Sequence, residues 1–209
     1  GTFTIKQDGS TNTLGAVSDR VGLTGNSKTF TSITTGTGNE ILLQETGNST
    51  TTELLITGNT NEVDSNVEGD SNDTTFEITG NTNTLLVKAD VAADVENTTN
   101  NSNIDVTIEG NTNDVTFSMV DTDAAVNLWS LIGDLNVVNS YQQGQTGGIG
   151  HAQTVELFGS SNNVDIYQIG TEAHTIDLQV LGSDNDYTIT QTDGTTSTYT
   201  NPAAVTTQP

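Results

Sequence analysis

Acidic residues are the first candidates for a chemical role in this sequence. The chain has 27 aspartates and glutamates against four lysines and arginines, a net charge of −23. Glu40 and Glu62 lie 22 residues apart, and on stacked strands their outward side chains would be about 4.8 Å apart. Like charges so close destabilise a sheet, and a bound cation would relieve the repulsion. A solvated acidic surface is the favoured interpretation, so we predict no cofactor. Ca²⁺ bound weakly on outward carboxylates is the alternative.

Two histidines form a second candidate for metal chemistry. His151 and His174 occupy equivalent places in two turns of the chain, and two stacked imidazoles can bind a transition metal. The sequence offers no evident third ligand. A polar contact at the turns is therefore the favoured interpretation, and we predict no metal site.

The sequence contains few residues in arrangements that indicate an enzyme or an ice-binding protein. There is no cysteine and no Gly-x-Ser-x-Gly motif, and neither histidine has evident triad partners. No carboxylate pair can be singled out for glycoside cleavage. Threonines are scattered among acids instead of forming the regular outward rows that ice binding needs. The chain is therefore not expected to be an enzyme.

Charge and hydropathy exclude two further kinds of partner. The net charge of −23 opposes binding to the phosphate backbone of a nucleic acid. No stretch approaches the 18 consecutive apolar residues that indicate a membrane-spanning helix. We expect neither nucleic-acid binding nor insertion into a membrane.

The sequence contains an internal repeat, and any functional site must be positioned by the structure that this repeat forms. The pattern Gly-x-x-Asn recurs along the chain. Gly25 and Gly47 lie on the same grid, with Lys28 and Thr50 in the asparagine place, so glycines follow at steps of 11 residues from Gly25 to Gly80. The pattern occurs at Gly9/Asn12, Gly36/Asn39, Gly58/Asn61, Gly69/Asn72, Gly80/Asn83, Gly110/Asn113, Gly133/Asn136, Gly159/Asn162 and Gly182/Asn185. A fixed short period is typical of a repeat architecture.

The residues between the glycines alternate in polarity. Val63, Ser65 and Val67 alternate with Glu62 and neighbouring polar residues, which indicates a strand with one buried face. Glycine allows a corner with φ > 0, and asparagine can bond to nearby backbone. An 11-residue unit cannot bury its inner face alone, whereas stacked units can. We predict an all-β solenoid with coils of about 22 residues, two strands per coil and a flat two-sheet core.

Side-chain spacing supports coils of two strands. Asn39, Asn61 and Asn83 are 22 residues apart. Farther along, asparagines and glutamines both step by 26 and then 23 residues, at Asn136, Asn162 and Asn185 and at Gln142, Gln168 and Gln191. Because two residue types shift together, they belong to common coils. We predict that these nine residues form amide ladders along the stacking axis.

The repeat is interrupted in two places and ends before the C-terminus. Residues 88–103 lack the glycine corner, and residues 119–134, with the only tryptophan, lengthen one arc. We interpret both as coils carrying a short helix or a bulge. Pro202 and Pro209 lie in the last residues, where proline disfavours a central strand. The predicted organisation is a solenoid over 1–195 and a tail or linker over 196–209.

The pattern resembles the curlin repeat of bacterial curli fibre subunits. That repeat has about 22 residues and a Gln-x-Gly-x-x-Asn signature, which "QDGSTN" at 7–12 matches fully and "QQGQTG" at 142–147 and "QIGTEAH" at 168–174 match partly. Ile56, Ile78 and Ile108 replace glutamine in other arcs, and Glu45 does so once. The resemblance implies a secreted β-solenoid that self-assembles into an extracellular fibre.

From the open edges of a solenoid we expect a structural protein. An unpaired strand edge is a template for another chain, so we predict head-to-tail stacking of copies, with Gln7 and Gln191 at the two assembly ends, in a cell-surface fibre that supports matrix or adhesion. Two alternatives stay open: a virion appendage (phage fibre, spike or capsid decoration) and an adhesin segment. In these, the C-terminal tail would contact another surface or virion protein.

Overall fold

The chain folds into two parallel β-sheets. The computed structural model describes residues 1–16, 19–69, 71–89, 103–110, 112–122, 126–133, 135–144, 152–159, 161–169, 175–182, 184–192 and 198–200. The first sheet contains, in spatial order, β1 (Thr2–Asp8), β4 (Thr29–Thr35), β6 (Thr51–Thr57), β8 (Asp73–Thr79), β10 (Asn103–Glu109), β12 (Val126–Ile132), β14 (Ala152–Phe158), β16 (Thr175–Leu181) and β18 (Thr198–Thr200).

The second sheet holds the strands that alternate with these along the chain. It contains β2 (Thr11–Leu14), β3 (Val21–Thr24), β5 (Gly38–Thr46), β7 (Thr60–Glu68), β9 (Thr82–Ala89), β11 (Thr112–Thr122), β13 (Leu135–Gly144), β15 (Ser161–Ile169) and β17 (Asp186–Thr192). β2 and β3 lie side by side on β5. One strand from each sheet makes a coil, and coils stack in parallel. The predicted all-β solenoid with two-strand coils is confirmed.

The core lies between the sheets and follows from the alternating pattern. Val63, Ser65 and Val67 are buried whereas Glu62 is exposed, as the period of two predicts. Trp129 in β12 is fully buried and packs edge-on against Phe117 of β11, with ring centroids 4.9 Å apart. Near this contact the β11–β13 pairing shifts register between Val120 and Thr122. The stretch from 119 to 134 therefore carries a bulge, one of the two irregularities expected.

Each coil turns at two edges that differ in construction. We call the edge where a first-sheet strand passes to a second-sheet strand the glycine edge. Its corners contain Gly9, Gly36, Gly58, Gly80, Gly110, Gly133, Gly159 and Gly182. From Gly9 to Gly159, the amide of each corner glycine donates to the last first-sheet residue of the following coil, for example Gly58 to Thr79 at 2.9 Å. Backbone therefore packs on backbone along this whole edge.

Close approach, and not an unusual φ, explains glycine at the glycine edge. A Cβ at Gly58 would overlap the carbonyl oxygen of Gly36, and a Cβ at Gly110 would overlap that of Gly80. None of these corner glycines has a positive φ. The φ > 0 expected at the corners is found at the opposite edge, for example at Gly69 (φ 114°).

The opposite edge, which we call the loop edge, is regular only in the first coils. Gly25, Gly47 and Gly69 stack there, and Ser27, Ser49 and Ser71 have φ of 55°, 56° and 57°. Beyond Ala89 the connections at this edge differ in length, and residues 90–102, 123–125, 145–151, 170–174 and 193–197 are outside the described part of the chain. The same edge thus carries both interruptions seen in the sequence.

The first sheet continues past the boundary predicted at residue 195. β18 (Thr198–Thr200) pairs with β16 in parallel register. Residues 201–209, which include both prolines, are outside the described residues.

Replacing a stacking glycine should destabilise the fold more than replacing an open one. We expect Gly110→Ala to lower the free energy of unfolding by at least about 2 kcal/mol, because the new methyl group collides with the neighbouring coil. Gly38→Ala is the matched control, since a Cβ there meets nothing within 4 Å and should change stability by less than about 1 kcal/mol. Urea denaturation of both variants measures this, and equal midpoints would refute the close-approach explanation.

Candidate functional site: polar ladders and open ends

A buried row of asparagines runs along the glycine edge. The ladder consists of Asn12, Asn39, Asn61, Asn83, Asn113, Asn136, Asn162 and Asn185, each in register with the next or bonded to it. The Nδ2 of Asn39 donates to Oδ1 of Asn61 at 2.8 Å, and the Nδ2 of Asn61 to Oδ1 of Asn83 at 2.7 Å. The structure therefore brings together all six asparagines predicted for the ladder.

Asparagine and glycine depend on each other at this edge. The Nδ2 of Asn39 also reaches the carbonyl of Thr57 at 3.1 Å, and that of Asn61 reaches the carbonyl of Thr79 at 3.3 Å. A Cβ at Gly58 would strike the Asn39 amide, so the absence of a side chain lets the amide reach both partners. A buried amide without partners would cost about 1–3 kcal/mol, which explains the repeated Gly-x-x-Asn.

Two ladder members, Asn12 and Asn113, were not among the predicted site residues. Asn12 bonds Asn39 at 3.1 Å, and Asn83 bonds Asn113 at 2.9 Å. Their sequence separations of 27 and 30 residues depart from the 22-residue step because the chain inserts residues between β2 and β3 in the first case and at the loop edge, between β9 and β10, in the second. Both do lie in the Gly-x-x-Asn motif, which was the stronger signal.

The ladder changes direction in the middle. From Asn12 to Asn83 each amide donates toward the C-terminal end, whereas Asn162 donates back to Asn136 at 3.0 Å. At the point of reversal, the Nδ2 of Asn136 has no partner among the described residues. Reversing the amides of Asn136, Asn162 and Asn185 together would give one continuous direction, because amide oxygen and nitrogen are nearly the same size.

A shorter glutamine ladder lies in the second sheet near the loop edge. Gln142 and Gln168 are fully buried, and the Nε2 of Gln168 donates to Oε1 of Gln142 at 2.7 Å. Gln191 is the register partner of Gln168, so the structure brings the three predicted glutamines into one row. Met119, Ala89, Val67 and Glu45 occupy that row in earlier coils.

Gln7 and Gln191 lie at opposite ends of the rod but on different sheets. Gln7 is in β1 of the first sheet, in register with Thr34, whereas Gln191 is in β17 of the second. Two copies stacked in the same orientation would therefore not place Gln7 on Gln191. The sequence does not reveal that the two glutamines are on different sheets, because both precede a turn. The turn after Gln7 is at the glycine edge, whereas the turn after Gln191 is at the loop edge.

Glu45 is a buried acid in the glutamine row. Its side chain is fully buried, and burial raises its pKa from 4.5 to about 7 against the opposing effect of hydroxyls from Thr52, Thr50 and Thr74. Thr50 Oγ1 lies 3.0 Å from Glu45 Oε2 and 2.9 Å from Asn72 Oδ1. Thr50 has one hydroxyl hydrogen for these two acceptors, so its bond to Glu45 stabilises the carboxylate only in part, and burial remains the larger effect on the pKa.

The outward carboxylates form neighbouring pairs without a complete metal site. Glu40 and Glu62 are register partners, and both are exposed. Among the described residues, no three acids, histidines or cysteines are grouped closely enough to hold a metal ion. His151 and His174 fall outside the described residues. Weak Ca²⁺ binding at the outward acids stays an alternative to the predicted solvated surface.

The ends of the rod present unpaired strand edges. β1 pairs only with β4, and β17 pairs only with β15, within the described chain. Inward-facing Phe3 of β1 is 53% exposed and stacks on Phe30 with ring centroids 5.8 Å apart. Ile189 of β17 is half-buried and packs against the core. Each end thus shows backbone and core side chains that an additional coil would cover.

At the N-terminal end, Arg20 holds an irregular segment in place. Its guanidinium donates to the carbonyls of Leu43 at 3.3 Å and Asp64 at 2.9 Å, and forms an ion pair with the Asp64 carboxylate. This anchors the connection between β2 and β3 across two coils. No spacing in the sequence signals this contact, because it joins residues 44 apart through one long side chain.

Comparisons with known proteins leave the family open. No family model matches the chain, and no curated protein or solved structure shows significant similarity to it. In the described residues, no helix has the length and apolarity needed to cross a membrane.

Removing one ladder amide should destabilise the rod from within. We expect Asn61→Ala to lower the free energy of unfolding by about 2–3 kcal/mol, because its neighbours lose a donor and an acceptor in a buried row. Asn59→Ala, on the exposed surface of the same corner, should cost less than about 0.5 kcal/mol. If thermal unfolding shows similar losses for both variants, the ladder does not stabilise the fold.

The buried acid predicts a specific pH dependence. The folded-state pKa of Glu45, about 7, exceeds its usual 4.5, so its favourable contribution is complete below pH 4.5 and is lost as pH rises through 7. The shift corresponds to about 3 kcal/mol. Glu45→Gln places in this coil the residue found at 142 and 168. In urea denaturation, the variant should have a higher free energy of unfolding than the parent protein at pH 8.5 and a similar one at pH 4. The same difference in free energy between the two proteins at both pH values would contradict this prediction.

Proposed function

We propose that this protein is a structural subunit that stacks head to tail into an extracellular fibre. The observation that carries the proposal is the pair of ends, where the outermost strands of both sheets have no further strand beside them among the described residues. Another copy in the same orientation can continue each sheet with the spacing already used inside the rod. Such a contact joins two different surfaces and does not close, so it produces a filament.

Apolar surface at the ends supports this assembly. Phe3 and Ile5 at one end, and Ile189 at the other, belong to the inward rows of the core. A stacked copy would cover these side chains and so remove apolar surface from water.

The extracellular location and the mechanical role rest on the sequence. The resemblance to curlin repeats supports a secreted fibre on a cell surface, serving matrix or adhesion. The buried amide ladders support it as well, because stacked asparagine and glutamine stabilise cross-β assemblies. On this proposal the main partner is another copy of the chain, and no enzymatic step is involved.

A second candidate is a discrete rod that acts as a virion appendage or adhesin segment. The irregular loop edge favours it, because connections of different length give successive coils different surfaces, which suits recognition better than uniform stacking. In this case the rod would dock on another surface or virion protein and remain single.

Electron microscopy of the purified chain distinguishes the two candidates. The fibre proposal predicts filaments whose diffraction shows the strand spacing of about 4.8 Å along the axis. Phe3→Glu should abolish filaments, because it places a charge in the stacking interface. Thr4→Glu, the next residue on the same strand, is exposed and faces outward, so it should assemble normally. Single rods from the parent chain, or filaments from Phe3→Glu, would refute the fibre proposal.

A further inference from the structure

Four apolar side chains line the C-terminal part of the glycine edge. Ile132, Phe158 and Leu181 are successive register partners on the outward face of the first sheet. Leu135 lies on the other side of the Gly133 corner. Ile132 is 43% exposed and Leu135 49%, and the other two are partly exposed. We call these four residues the apolar ridge.

The fold does not require apolar residues at these positions. In the N-terminal coils the same row contains Thr35, Thr57 and Thr79, which are also register partners. Threonine supports a strand as well as isoleucine does, and an outward side chain adds nothing to the core. A row of exposed apolar side chains on a polar surface, here Ile132, Phe158 and Leu181 with Leu135 across the corner, is typical of an interaction site.

The charge around the ridge selects the kind of partner. All four lysines and arginines lie within residues 1–88, and the following 121 residues contain 16 acids and no basic side chain except two histidines. Glu109 is the register neighbour of Ile132, Glu156 is two residues from Phe158, and Asp184 is exposed beyond Leu181. A second copy meeting this face would oppose acid to acid, which is unfavourable.

We propose that the apolar ridge docks a cationic protein segment with apolar side chains at its centre and lysine or arginine around them. The apolar contacts would give the interface its stability, and the acidic rim would orient the partner and speed its association. This lateral contact is separate from the open ends, so it can operate on a filament or on a single rod.

Two synthetic peptides of equal charge test the proposal. One alternates lysine with leucine, and the other alternates lysine with serine. At physiological ionic strength we expect the parent protein to bind the lysine–leucine peptide at least about tenfold more tightly, which is the effect of one good apolar contact. The Ile132→Thr/Phe158→Thr variant has threonine at these positions, as the N-terminal coils do. It should bind the two peptides with nearly equal affinity. Fluorescence anisotropy gives both dissociation constants.

The controls separate the apolar from the ionic contribution and from misfolding. The Glu109→Gln/Glu156→Gln variant should bind both peptides more weakly, and its affinities should depend less on salt concentration. It should still prefer the lysine–leucine peptide. Leu135→Ser alters only the most exposed ridge residue and should lower the preference even if the double variant unfolds; circular dichroism verifies the fold of each. Equal binding of the two peptides by the parent, or an unchanged preference in the ridge variants, would overturn the proposal. So would sedimentation that shows lateral dimers lost in those variants, because the occupant would then be a second copy.

Discussion

Successive coils of this protein approach so closely at the glycine edge that no side chain fits between them. The corner glycines stack carbonyl against Cα, and the neighbouring asparagines then reach the next coil and bond it at 2.7–3.1 Å from Asn12 to Asn113. Because the strands leave this edge in register, the alternation of inward and outward residues is kept in every coil. The thin core can therefore hold serine, threonine and one glutamate beside its apolar residues without losing order.

The glycine edge also explains where the chain tolerates change. Apart from the insertion between β2 and β3, the long connections are at the loop edge, where successive coils need not match, whereas the glycine edge keeps one geometry from Gly9 to Gly159. Outward residues are equally free, since threonine, glutamate, isoleucine and phenylalanine succeed one another in a single row. Stability is thus concentrated in the inward rows and one edge, which leaves the ends and the outer surface available for interactions.

Much of this architecture could be predicted from sequence because its signals are periodic. The spacing of Asn39, Asn61 and Asn83 indicated two strands per coil, and the alternation around Val63 indicated which face is buried. Contacts without a period were not predictable. Arg20 reaches Asp64 through one long side chain, and the buried Glu45 accepts hydrogen bonds from Thr50 and Thr52, which lie in the next segment of the chain. The two kinds of corner also look alike in sequence. Glycine avoids a collision at both, but it adopts a positive φ only at the loop edge.

Pulsed electron paramagnetic resonance tests the stacking of coils most directly, because the cysteine-free chain can be labelled at chosen pairs. Thr35 and Ile132 are four strands apart in one row, and Thr35 and Leu181 are six. With cysteine at these positions, the second pair should give a distance about 10 Å longer than the first, or two strand spacings, with narrow distributions for both. Equal distances, or a separation that follows chain length and not strand count, would contradict the solenoid.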